Sequence, residues 1–434
     1  MTSEFESEFE SESESELENE LENELESELK KYSGEGCRLK TPEGEYIDIA
    51  SGTFNLPLGY ADEDVVNSLI SQIKRCSHLS SSFTKRAGNS LVKILAEQAP
   101  ENIESGWVRD ITGSTANECA IKIAQKKSGK DSVISLFLSH HGQTNSMTAI
   151  SGNSFRREGF PLSDSPFSLK IPPPYCHRCP YNASYPGCGM LCVEKINDFI
   201  EYASNGSIAC MIIEPILGNG GNIVPPKAYF EHLSKLCEEQ KIILIADEVQ
   251  TGVGRTGYFF ASEAFEFKPN IITLAKGLGG IGIPSAAVLM ESRLDVLQSH
   301  EHSFTSGANT LALTAAFATV EKISKPEFLS EVRRKGDFLG KKLNELGEKY
   351  SCISDVRGMG FMWGLEISDS DGQPDVELCN QIIKAAYSTQ NMIVRGSRYG
   401  RGNVVKVRPP LITEDRDLEE IIVRLDRAIS LCTK

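Results

Sequence analysis

Apolar residues along this chain gather into short unbroken runs separated by amphipathic stretches, the pattern of strands buried on both faces that alternate with helices. Ile242 to Ala246 is one such run and stops abruptly at Asp247 and Glu248. Asn270 to Leu274 is another, and Lys276 follows it just ahead of Gly277, Gly279 and Gly280. SIACMII ends in the same way at Glu214, before a glycine-rich loop. In VRDITGSTANECAIKIAQKKSG a short strand meets Gly113, Ser114 and Thr115, ahead of a helix predicted from about Asn117 to Lys127. VISLFLS reads as a strand that ends in His140, His141 and Gly142. Near the start, EYIDIA alternates as a hairpin arm does, turns through Gly52 and Pro57, and gives way to a helix from Asp62. From about Lys325 to Lys434 helical periodicity alternates with FMWGLEIS and NVVKVRPPLIT, which suits a smaller domain with an antiparallel-type sheet. The pattern as a whole predicts the α/β class.

Open α/β sheets hold their ligands beyond the carboxyl ends of parallel strands. The runs ending in Asp247 and Lys276 place a carboxylate and a primary amine on that edge. Pyridoxal 5'-phosphate needs such a pair, with the carboxylate keeping its ring nitrogen protonated and the lysine carrying its aldehyde. Gly113, Ser114 and Thr115 stand where a helix start offers free N–H groups to a phosphate. An ordinary helix cap has the same appearance.

DEVQTGVGRTG followed by TLAKGLGG resembles the class III aminotransferases of PLP fold type I, the family of ornithine, acetylornithine and 4-aminobutyrate aminotransferases. The resemblance implies a large domain over residues 81–324, with a mostly parallel seven-stranded-type sheet flanked by helices. It also implies a small α+β domain built from residues 32–80 and 325–434. In the family pattern Asp247 holds the pyridinium charge, and Lys276 is nucleophile and acid/base. Gly113, Ser114 and Thr115 form the phosphate cup, Val249 lies against the ring, and Gln250 donates to the phenolic oxygen. His141 and Glu214 fall beside the cofactor. Thr305 matches a threonine that reaches the phosphate of the other subunit's cofactor, which implies a homodimer with two composite sites. Arg255 reads as a structural loop anchor.

Two positions depart from the pattern. His140 stands where the family usually stacks an aromatic ring on the cofactor, and imidazole is a weaker stacking surface. Lys406 occupies the place of an arginine that grips the substrate carboxylate in most relatives, with Arg408 two residues on. A lysine is a point charge and cannot reproduce the bidentate fork. On a strand the two share a face, so an anion site with altered geometry is one outcome and a substrate without an α-carboxylate is another. The expected reaction moves an amino group between a primary amine and a carbonyl acceptor in two half-reactions, with the cofactor tethered to Lys276. The alternatives are a PLP-dependent lyase acting on a phosphorylated or phosphonate amino alcohol, amination of a carbonyl on a larger peptide-like substrate, and a scaffold that has lost its chemistry.

Composition changes this picture at three points. Every even position from Glu4 to Glu28 is glutamate, thirteen in all against a net charge of −15, so most of the acidity belongs to a tail over residues 1–31. Such a run predicts a solvated, disordered segment. Phe5, Phe9, Leu17, Leu21, Leu25 and Leu29 leave open a helix folded against a basic partner. An acidic chain argues against nucleic acid as a partner, and the lack of long apolar runs argues against a membrane. The glutamate-rich start is unlike a signal peptide, so a cytoplasmic protein is expected. Finally, Cys176, Cys179, Cys188 and Cys192 cluster in a Pro/Gly-rich insertion over 172–192. Four thiolates suit zinc or an iron–sulfur cluster, but the spacing is not that of a standard zinc knuckle, and a metal-free insertion is the favoured reading.

Overall fold

The computed structural model describes residues 27–160, 167–397 and 401–433 of the chain. The acidic run up to residue 26 lies outside them, and residues 27–30 form a helical turn. Strands β1 (Ser33–Glu35), β2 (Arg38–Thr41) and β3 (Gly44–Asp48) form an antiparallel meander. The helix after it, Glu63–Arg75, starts where the sequence predicts, with the Asp62 carboxylate accepting from the Val65 N–H and acidic residues in its first turn.

The central sheet has seven strands: β4 (Ser105–Asp110), β5 (Ser132–Leu136), β6 (Ser168–Ile171), β7 (Ile208–Ile213), β8 (Ile243–Asp247), β9 (Ile271–Leu274) and β10 (Ala286–Met290). Their order is β4-β10-β9-β8-β7-β5-β6, parallel from β9 to β6 and antiparallel on both sides of β10. Alternate residues of β8 enter different cores. Ile243 and Ile245 pack with the helix Gly113–Ser128, while Leu244 and Ala246 join the larger core on the other face. Asp247 continues the first set, and its carboxylate therefore points toward that helix.

β11 (Ile353–Met359), β12 (Met362–Ile367), β14 (Arg395–Gly396) and β15 (Val404–Val407) make an antiparallel sheet, and β13 (Met392–Ile393) pairs in parallel with β3. Residues from both ends of the chain thus share a sheet.

Two predicted boundaries are corrected. The helix expected from Asn117 begins at Gly113, because the Thr112 hydroxyl accepts from the Thr115 N–H at 3.2 Å and caps it one turn earlier. The strand expected to reach His140 stops at Leu136; Leu138, at a φ of 68°, turns the backbone out of the sheet. In the insertion, none of the four cysteines is in a disulfide, and all four line one cavity of about 20 Å³. Tyr175 and Arg178 tie it to the rest of the chain by donating to Glu366, which also accepts from Arg357 at 2.6 Å. Against the upward push of burial, Arg357 and these donors hold the Glu366 carboxyl down at about 2. No described helix is long and apolar enough to cross a membrane.

Candidate active site

Asp247 ends β8 beside Thr273 of β9 and is 3% exposed. Its Oδ2 accepts from His141 Nδ1 at 2.7 Å and from Asn117 Nδ2 at 2.8 Å, while Oδ1 accepts the Val249 N–H at 3.1 Å. Because the carboxylate can only accept, the proton between the pair sits on His141 Nδ1. Asn117 is held in turn: its Oδ1 accepts from the Thr273 hydroxyl at 2.6 Å, and its amide also donates to the His141 carbonyl at 2.7 Å. The ends of β8 and β9, the loop after β5 and one helix therefore fix the direction of a single carboxylate.

Lys276 follows β9 with a φ of 41°, a left-handed conformation that a lysine adopts only where surrounding packing enforces it. Its amine is held below the ordinary lysine range by removal from water, with Asp247 and Glu214 pulling it back and Arg408 adding to the depression. Glu214 accepts backbone N–H groups from His140 at 2.7 Å and Gly218 at 2.9 Å, and burial raises its carboxyl. Burial, Lys276 and the neighbouring His141 push the His140 imidazole down to about 3, so its ring is neutral.

Gly113, Ser114, His140, Asp247, Val249 and Lys276 line one cavity of about 450 Å³. Two glycines make its phosphate end close-packed. A Cβ at Gly113 would stand 2.8 Å from the Val249 side chain, and one at Gly142 would stand 2.5 Å from Ser114 Oγ. His141 lines it as well, and the other predicted residues fall outside its lining. Thr115 turns its hydroxyl back to the Thr112 carbonyl at 3.0 Å. Thr305 is exposed on the loop before the helix Thr310–Ile323. Gln250 and Arg408 form a unit: Arg408 donates to Gln250 Oε1 and to the Gly218 carbonyl, both at 2.7 Å, and to Asn222. That bond occupies the Gln250 oxygen and leaves its amide N–H groups to donate. Arg255 is buried and donates to the carbonyls of Pro409 and Phe361.

Lys406 is 2% exposed, and among the described residues its ammonium has neither a hydrogen bond nor an ion pair. It lies 4.8 Å from the centre of the Phe54 ring, with the Arg408 guanidinium 4.2 Å from the same ring. Burial, Arg408 and Arg395 drive its amine well below the usual range. Phe54 adopts a φ of 67°, and no periodicity in the sequence marks it as a site residue. Asn117 is the other residue that sequence reasoning passed over, although it stands one helical turn after Gly113 and so on the same face.

A phosphorylated pyridine aldehyde fits these residues. The helix start with its glycine cradle takes an anion, the locked carboxylate takes a protonated ring nitrogen, and the Lys276 amine takes the aldehyde. The comparisons with known proteins agree. A family model described as aminotransferase class-III matches residues 22–429. The chain is 35% identical over 400 residues to a leucine/methionine racemase of Thermococcus litoralis, covering 89% of this chain and 87% of that one. It is 33% identical over 409 residues to an acetylornithine aminotransferase of Haemophilus ducreyi, covering 92% and 93%. Among solved structures, the omega transaminase from Pseudomonas jessenii in complex with PMP superposes with a TM-score of 0.85 at 26% identity over 92% of each chain. The PLP-bound amine transaminase from an uncultivated Pseudomonas species gives 0.83 at 25%, covering 92% of this chain and 94% of that one. The chain belongs to the class III aminotransferases. It is a pyridoxal-phosphate-dependent enzyme of the transferase class, on the α/β fold of the type I transaminases.

Proposed function

We propose that the chain passes an amino group from a primary amine or amino acid to a carbonyl acceptor in a ping-pong sequence centred on Lys276, as a cytoplasmic homodimer with composite sites. The observation that carries the reading is the pairing at the ends of two adjacent parallel strands of an amine held below its usual pKa and a carboxylate locked by His141, Asn117 and Val249. When bound, pyridoxal phosphate supplies an electron sink for the bond broken at the substrate carbon. Lys276 Nζ, neutral over more of the pH range than an exposed lysine, would take the proton from that carbon and carry it within the site. Asp247 would hold the ring nitrogen's proton, Gln250 would donate toward the phenolic oxygen, and the neutral His140 ring lines the same cavity. Gly113 and Ser114 would hold the phosphate, and the exposed Thr305 would serve the partner's site. Turnover then requires a carbonyl acceptor. Ammonia release without one overturns amino transfer in favour of elimination.

The 35% identity to a racemase favours one further reading. Lys276 returning the proton to the carbon it left gives racemisation when the proton arrives on the other face. Loss of optical activity, with solvent deuterium incorporated and no acceptor present, identifies that outcome.

Lys406 defines the substrate's acidic group. Burial disfavours the charged form of its amine, and an incoming carboxylate or phosphate restores that form by pairing with it. Losing one hydrogen bond to a charged group corresponds to about ten- to a hundredfold in affinity. Lys406→Ala is expected to raise KM for an anionic donor by about that factor and to leave KM for a neutral amine unchanged. Steady-state kinetics on the two donor types check this.

A further inference from the structure

Away from the cavity, Asp110, Cys119 and His302 bring a carboxylate oxygen, a thiol and an imidazole nitrogen within 4.8 Å of one another, with exposures of 2%, 0% and 2%. Among the described residues this is the one such group of three, and it has the composition of a metal site. The second imidazole nitrogen points to another role. His302 Nε2 lies 2.9 Å from Asp110 Oδ1, and Nδ1 lies 3.4 Å from the Lys122 ammonium. An ammonium can only donate, so Nδ1 accepts and the proton sits on Nε2, aimed at Asp110. A metal-bound histidine instead donates its free N–H to an acceptor, and here Nδ1 faces a donor. The group is a hydrogen-bond relay from Lys122 through His302 to Asp110.

The relay joins two parts of the phosphate machinery. Asp110 ends β4 two residues before Thr112, the cap of the cup helix, and Lys122 lies further along that helix. His302 lies three residues before Thr305. The Phe304 ring packs edge-on against the imidazole at 5.1 Å, and a Cβ at Gly307 would stand 2.0 Å from the Arg109 carbonyl, so the loop is seated directly on β4. We propose that His302 is a positioning residue that hangs the Thr305 loop on the strand and helix forming the chain's own phosphate cup. A single imidazole then sets both the site a protomer keeps and the hydroxyl it lends to its partner. This rests on the reading of Thr305 given above.

The test uses the full-length protein, stripped of cofactor and titrated with pyridoxal phosphate. His302→Asn keeps a group near Lys122 but falls short of Asp110, whereas His302→Gln carries an N–H to the Nε2 position. His302→Asn is expected to weaken cofactor binding by about tenfold, and His302→Gln to restore it to within about threefold. Thr305→Ala is expected to match His302→Asn, and the double variant to be no weaker than either single one, because both lose the same contact. Unchanged affinity in His302→Asn overturns the proposal, as do effects that multiply in the double variant. Stoichiometric zinc in the wild type that disappears in His302→Asn overturns it too. Unchanged affinity in Thr305→Ala also overturns it, and a borohydride-reducible bond at Lys276 in that variant shows that the catalytic reading survives.

Discussion

Lys276→Ala is expected to reduce turnover by about 10,000-fold while the fold and the phosphate cup remain. One side chain carries two tasks here, covalent attachment of the cofactor and the proton transfer, so no neighbour can replace both. Single-turnover measurements on protein loaded with the donor check the rate. Borohydride treatment followed by mass analysis checks the attachment, with wild type gaining a reduced adduct and the variant none. Turnover above about 1% of wild type would move the proton transfer to another residue.

The depressed amine also predicts a pH dependence with a definite sign. Folded Lys276 binds fewer protons than unfolded Lys276 between its lowered value and the ordinary 10.5. Stability from this group therefore rises with pH across that window, and its penalty is fully present below the folded value. Lys276→Ala removes this contribution, so unfolding of the cofactor-free variant follows pH less steeply on the alkaline side. The rate in wild type rises with pH until the free amine is fully neutral.

Strand periodicity made the central sheet legible, and the abrupt ends of its apolar runs made Asp247 and Lys276 legible with it. A strand buried on both faces is apolar throughout, so its first charged residue marks where it ends. Helix starts were less legible, because capping depends on one hydroxyl. Thr112 looks like any loop threonine until its oxygen meets the Thr115 N–H. Long-range partners left no periodic trace. Phe54 meets Lys406 and Arg408 from about 350 residues away in sequence, and the Asp110–His302 bond spans 192 positions. The substitution of lysine for arginine at position 406 was visible, but its consequence depended on Arg408. In the fold Arg408 is already committed to Gln250, Gly218 and Asn222, and among the described residues the Lys406 amine has no hydrogen bond or ion pair.

Asp247→Asn is expected to cost on the order of a thousandfold in kcat. The substitution preserves shape and removes charge, which is the quantity a protonated ring nitrogen responds to. The hydrogen-bond network also resists it. His141 and Asn117 both donate to Oδ2, and the Val249 N–H donates to Oδ1, so an amide can satisfy one side only by turning its own N–H groups against a donor on the other. That conflict is expected to destabilise the cofactor-free protein by about 1–3 kcal/mol, measured by urea unfolding. Asp247→Glu keeps the charge but moves it by one methylene, and is expected to fall between the two in kcat. The order wild type, glutamate, asparagine separates charge from geometry. If asparagine were as active as wild type, the ring nitrogen would not need the carboxylate, and the acid at the end of β8 would be a structural cap for His141 and Asn117.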